Sequence, residues 1–303
     1  MHSWILPGRR DAPKMRYKAI LERSLAFSRT CNPRNLEYQW YPLWDQTLDD
    51  LVTDVSNLIV APQYPVWFVP QDDEEVEEEE EGEGEDEDDG RGGDPEEIIT
   101  SIGESNPEES TALEDDDAGE EVADVSFAST MQEKSTKSVL VDFVIINVNG
   151  VPRRQKNSRY GGWRITRANV GLLVEVKRFV SRSLTGVELE KALEARVSEA
   201  HEDLITQAAH LFLQEEDKDS VLAIAAAGPW WCSAKINRDD VKMVMHRLAS
   251  KDPTYQAHTS GAAALQLNWS SLLRLDVARS NDRSRIIYNS LKGIGVLETP
   301  VNV

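Results

Sequence analysis

The sequence predicts an α/β or α+β protein whose strands gather on one sheet with helices flanking it. Two apolar runs, VLVDFVIINV (139–148) and GLLVEVKRFV (171–180), have the density of buried strands. A long helical stripe over 186–216 follows the second and leads into a third apolar run, SVLAIAAAG (220–228).

Residues 1–36 read as a basic, irregular segment broken by Pro7, Pro13 and Pro33. Trp44, Leu48, Leu51, Val55, Leu58 and Ile59 recur at three- and four-residue steps, which predicts a helix from Leu43 to Ala61 ended by Pro62. A short strand is expected at Val66–Val69. Residues 149–162, NGVPRRQKNSRYGG, form a basic loop with Asn-Gly as its turn signal. The buried stripe of the long helix is Leu193, Val197, Ala200, Leu204, Ala208 and Leu211. WWCSAKI (230–236) reads as a further strand, and the tail alternates helical segments with turns.

Charge separates one stretch from all this. The chain holds 33 Lys and Arg against 54 Asp and Glu, a net of -21, yet residues 72–124 alone hold 28 acids and one base. The other 250 residues are therefore mildly basic, at +6, which leaves a nucleic-acid partner open. Mutual repulsion and scarce apolar surface make 72–124 a disordered insertion in this reading. It divides the chain into 1–36, a first part of the folded domain at 37–71, the acidic insertion at 72–124, and the remainder at 125–303. The insertion reads as a solvated linker, or as a segment that captures basic proteins. No run of about 18 apolar residues suggests a membrane span. The start, MHSWILPGRRDAPK, has no apolar stretch of the kind a secretory signal needs. Cys31 and Cys232 give neither a disulfide framework nor a zinc cluster, so an intracellular, nuclear or cytoplasmic setting is expected.

Three features carry chemistry. Asp142 lies inside an apolar strand, where an unpaired carboxylate is costly. Glu175 and Lys177 stand two apart in another, so period two sets them on one face. An acid and a lysine so placed form an ion pair or a metal site, and two carboxylates plus waters suit Mg2+ or Mn2+. Gln207 falls on or beside the buried face of the long helix, an awkward place for an amide without a partner.

The order Asp142, Glu175-Val176-Lys177, Gln207 resembles the PD-(D/E)xK nuclease superfamily, and so does the helix–strand–strand–strand–helix–strand order around it. The likeness covers 139–236 and more loosely the helix at 43–61; it is shared with uncharacterised fungal proteins of that kind. It implies a restriction-endonuclease-like central mixed sheet flanked by helices. It also implies metal-dependent phosphodiester hydrolysis of nucleic acid, DNA foremost. Asp142 and Glu175 would hold the Mg2+ or Mn2+, Lys177 would assist the water, and Gln207 would orient the lysine or the substrate. Val141 stands where the motif name has proline. Many members supply another acid from the first helix, and Glu37, Asp49, Asp50 and Asp54 are the candidates, undistinguished by sequence. The alternative is a catalytically inactive nucleic-acid-binding or interaction protein of the same fold.

Arg153, Arg154, Lys156 and Arg159, with Tyr160 and Trp163, are candidates to grip a phosphate backbone; otherwise they are a solvated loop. Trp230 and Trp231 line a groove or complete a core, with packing favoured for at least one of them. His201 and His210 lack metal-ligand spacing, and Cys232 reads as a small buried hydrophobe.

Overall fold

Val141–Asn147 and Val170–Val176 are buried without a break, as strands covered on both faces must be. They form the centres of β2 (Lys137–Pro152) and β3 (Trp163–Lys177). The protein is seen in a computed structural model that describes residues 4–10, 13–69, 136–152, 163–250 and 267–294. The remaining elements are α1 (Pro13–Phe27), α2 (Tyr41–Val52), β1 (Leu58–Phe68), α3 (Gly186–Gln214), β4 (Ser220–Ala227), β5 (Trp230–Asn237), α4 (Lys242–Ala249), β6 (Leu273–Arg274) and α5 (Ala278–Ile294).

Among the described residues, six strands form one sheet in sequence order, β1-β2-β3-β4-β5-β6. Every neighbouring pair is antiparallel except β3 and β4, which run parallel. A parallel neighbour demands a crossover, and α3 supplies it. β4 and β5 turn tightly through Gly228 and Pro229; Gly228 takes φ +58°, and a Cβ there would lie 2.7 Å from that of Phe179. The Trp44 indole of α2 donates to the Gly228 carbonyl at 2.8 Å, anchoring α2 to this turn. α3 lies on the face that carries Glu175. The Tyr41 ring meets Phe143 edge-on at 5.4 Å, so α2 covers the other face, and the Tyr288 hydroxyl of α5 donates to Asp54 just beyond α2 at 3.1 Å.

Residues 1–71 and 133–303 belong to one unit, so the acidic stretch enters as an insertion between β1 and β2. Residues 72–124 themselves lie outside the described residues.

The structure corrects four expectations. Asn149-Gly150 is no turn: β2 continues through it to Pro152, and its partners Arg167 and Ile165 lie on β3. The segment 1–36 is not irregular: it contains α1, and Leu6, Ala19 and Ala26 join the core. Pro13 opens that helix, where a missing N–H costs nothing. α2 stops at Val52, because Asp54, Ser56 and Asn57 favour turns; Val55 and Leu58 donate backward to Val52 and Val55 at 2.8 and 3.1 Å. The strand expected at 66–69 therefore begins at Leu58 and contains Pro62 and Pro65, tolerated because β1 is an edge strand paired only with β2.

Beyond Asn147 and Leu172, β2 and β3 lose their flanking strands. They continue as a free two-stranded ribbon to Pro152 and Trp163.

Candidate active site

Phe143 pairs with Val174, and there the β2–β3 ladder ends. β3 goes on alone against β4, through Glu175–Ala225 to Lys177–Ala227. The Lys177 carbonyl accepts from the Gly228 N–H on that side, so Val176, one residue earlier, turns its N–H toward β2. Asp142 Oδ2 accepts that N–H at 2.8 Å. The carboxylate thus replaces the next backbone rung, which explains an acid inside an apolar strand. Its Oδ1 accepts from Tyr41 Oη at 2.5 Å and, at the outer limit, from Gln63 Nε2 at 3.5 Å.

Glu175 occupies the same face one residue along the opposing strand, and both acids are buried. Lys177 Nζ meets Glu175 Oε1 at 2.6 Å and Asp203 Oδ2 at 2.5 Å. Gln207 Nε2 donates to Glu175 Oε2 at 2.8 Å and to the Leu140 carbonyl at 3.1 Å, while its own buried Oε1 has no partner among the described residues. All four residues singled out by sequence therefore converge. The wiring differs in one respect: the amide of Gln207 holds Glu175, and the α3 side chain that meets Lys177 is Asp203, one helical turn before Gln207.

Burial raises the Asp142 pKa above the usual carboxylate range, against the Tyr41 and Val176 hydrogen bonds that lower it. Burial and then the facing Asp142 charge push Glu175 up to about 7. Burial acts to lower the Lys177 pKa, but Glu175 and Asp203 outweigh it and hold the amine above the ordinary lysine value. The amine is a cation pinned between two acids. The Tyr41 hydroxyl is raised by burial and by its bond to Asp142, so it remains a donor.

The four acids left open around the first helix separate cleanly. Glu37, in the turn before α2, accepts the Arg178 N–H at 3.2 Å and lines an open cleft of about 360 Å3 with Lys177, Arg178, Arg196, Glu202 and Asp203. Asp50 pairs with Arg9, Asp54 accepts from Tyr288, and Asp49 is exposed. Glu37 is thus the acid beside the site. Sequence reading missed Tyr41, Gln63 and Asp203. The four-residue step from Asp203 to Gln207 was the one available signal.

Arg153, Arg154, Lys156, Arg159 and Tyr160 lie outside the described residues. Trp231 is buried and donates to Ser280 Oγ at 2.9 Å, while Trp230 is half-buried. The His201 ring stacks on Trp269 and lies 3.2 Å from Cys232 Sγ; burial lowers the histidine to about 4 and raises the thiol to about 12. Neither is poised for catalysis. His210 donates from Nδ1 to the Thr206 carbonyl.

Among the described residues, no three His, Cys, Asp or Glu side chains group to hold a metal ion, and no helix is long and apolar enough to cross a membrane. Protein-family models, curated proteins and solved structures offer no match to this chain.

Proposed function

We propose that the protein is a metal-dependent phosphodiesterase acting on nucleic acid, DNA foremost, through a PD-(D/E)xK-like site. The observation that carries the reading is the meeting of Asp142, Glu175 and Lys177 at the point where two central strands part. Buried charges are expensive to keep in a core, and perturbed groups of this kind concentrate where chemistry is done. The order α2–β1–β2–β3–α3–β4 supports a restriction-endonuclease-like architecture, since it repeats the helix–strand–strand–strand–helix–strand succession that this reading requires.

Asp142 and Glu175 are the residues that would hold Mg2+ or Mn2+. They fit on donor chemistry: both offer hard oxygens, and the Glu175 carboxyl is raised partly by the neighbouring acid, a repulsion that a cation relieves. Two carboxylates with water completing the shell is an ordinary Mg2+ arrangement. When bound, such an ion supplies Lewis acidity and a water of lowered pKa.

The remaining work belongs to the chain. Tyr41 and the Val176 N–H fix the Asp142 carboxylate from two sides. Gln207 sets the rotamer of Glu175, and Asp203 keeps the Lys177 ammonium at the rim of the cleft when Glu175 is otherwise engaged. There the ammonium orients the attacking water and offsets charge developing on the phosphate.

The test is cleavage of labelled DNA by the full chain. Cleavage is expected with Mg2+ or Mn2+, none with EDTA, and none by Asp142→Asn. A wild-type chain inert toward DNA and RNA with both metals, or an Asp142→Asn variant as active as wild type, refutes the reading.

A further inference from the structure

Outside the acidic insertion, the net basic excess of the sequence falls on one stretch. Residues 149–168 contain six Arg or Lys and no acid, whereas residues 72–124 contain 28 acids and one base. The rest of the chain then holds 26 bases and 26 acids and is neutral as a whole. The entire basic excess outside the acidic insertion therefore belongs to residues 149–168 of the sequence, of which Arg164 and Arg167 lie on described β3.

The same stretch leaves the sheet. Val148 still donates to the Asn57 carbonyl at 2.9 Å, but from Asn149–Arg167 to Pro152–Trp163 the two strands pair only with each other among the described residues. Every residue from Trp163 to Ala168 is exposed, as are Val151 and Pro152. Exposed apolar side chains line it too, with Val151 at 42%, Trp163 at 39% and Ile165 at 58%. A solvated ribbon has no need of a tryptophan and an isoleucine there.

A bulge decides which way the arginines point. Asn149 pairs with Arg167 and Gly150 with Ile165, so Thr166 is the extra residue. In a regular strand, residues three apart lie on opposite faces. The bulge brings Arg164 and Arg167, opposite Val151 and Asn149, onto one face. Trp163 and Ile165 fall on the other. Neither arginine forms an ion pair among the described residues, although Arg167 borders a cleft at the end of α3 that is lined by Lys218 and by Glu215, Glu216, Asp217 and Asp219.

We propose that the exposed β2–β3 ribbon of Asn149–Pro152 and Trp163–Arg167 is an arm that enters the major groove of duplex DNA, with Arg164 and Arg167 contacting phosphates along its rim. The inference rests on the nucleic-acid reading above and narrows it to double-stranded DNA. A two-stranded ribbon fits the B-form major groove, about 12 Å wide and 8.5 Å deep. Four ladder pairs extend about 13 Å at ~3.3 Å per residue, enough to reach the groove floor. The deep, narrow major groove of duplex RNA excludes such a ribbon. From Asp142 to Pro152 is ten residues of strand, about 33 Å, so an arm in the groove engages the duplex well away from the candidate active site.

The test reads binding, not cleavage. Fluorescence anisotropy of the full chain, in EDTA at several salt concentrations, compares a labelled DNA duplex, the same single strand, a duplex RNA and a poly-glutamate peptide. The duplex DNA is expected to bind tightest. Arg164→Ala/Arg167→Ala is expected to weaken it at least about tenfold at low salt and to flatten the log–log salt slope by about two. Each single variant should flatten it by about one. The proposal is overturned if the double variant binds as wild type, if duplex DNA has no advantage, or if poly-glutamate binds best. Because no metal is present, loss of cleavage alone leaves this inference standing, and loss of arm binding leaves the active-site reading standing.

Discussion

Lys177→Met is expected to abolish metal-dependent cleavage, a fall of at least ~100-fold or about 3 kcal/mol of transition-state stabilisation. Methionine keeps most of the side-chain volume and removes only the charge that both Glu175 and Asp203 face. The lysine is partly open to the cleft, its side chain 16% exposed, so water can replace the ammonium and the fold survives. Two facing acids are left without their cation, which lowers stability, so circular dichroism melting accompanies the assay. Lys177→Arg retains charge, but its planar fork demands different geometry, and only partial activity is expected. Activity of Lys177→Met within about threefold of wild type, at equal folding, removes the lysine from the mechanism.

Arg9→Met is expected to lower stability by about 3–5 kcal/mol, the range for removing one partner of a buried ion pair. Arg9 Nε meets Asp50 Oδ2 at 2.6 Å with side-chain exposures of 7% and 3%. Its other nitrogens reach Thr47 at 3.1 Å and Asp276 at 3.1 Å, so one side chain ties the N-terminal segment, α2 and the approach to α5 together. Gly8 shows how closely these parts meet: a Cβ there would lie 2.6 Å from Asp50 Oδ1 and 2.8 Å from its Cα. The loss should appear as a melting temperature lower by roughly 10 °C in a chain of this size. The double variant Arg9→Met/Asp50→Leu should recover much of it, because no stranded carboxylate remains. A single variant costing less than about 1 kcal/mol shows that the pair is not what fastens this end.

The site was legible where charge contradicts its surroundings. Asp142, Glu175 and Lys177 stood out because apolar strands rarely tolerate charge, and period two placed the last two together. Tyr41 could not be found this way: it acts on Asp142 from 101 residues away, and nothing local marks it. Gln63 lies opposite Asp142 only because Leu58–Phe68 is a strand, and the helical spacing through Leu58 and Ile59 concealed that. α1 was hidden for another reason. Its outer residues Tyr17, Ile20, Leu21 and Leu25 are apolar and exposed, while Ala19 and Ala26 face inward, so no apolar stripe identifies the buried side. The sheet was the most readable part, since Val141–Asn147 and Val170–Val176 are apolar enough to be nothing but central strands.

Calorimetric titration of Mn2+ and Mg2+ into the full chain, alone and with duplex DNA, bears most directly on the pairing of Asp142 with Glu175. At least one ion per chain is expected to bind, and the Asp142→Asn/Glu175→Gln variant should lose it while remaining folded. Equal binding by wild type and variant, or no ion bound by wild type under either condition, contradicts a metal-dependent hydrolase and leaves the two carboxylates as parts of a buried polar network.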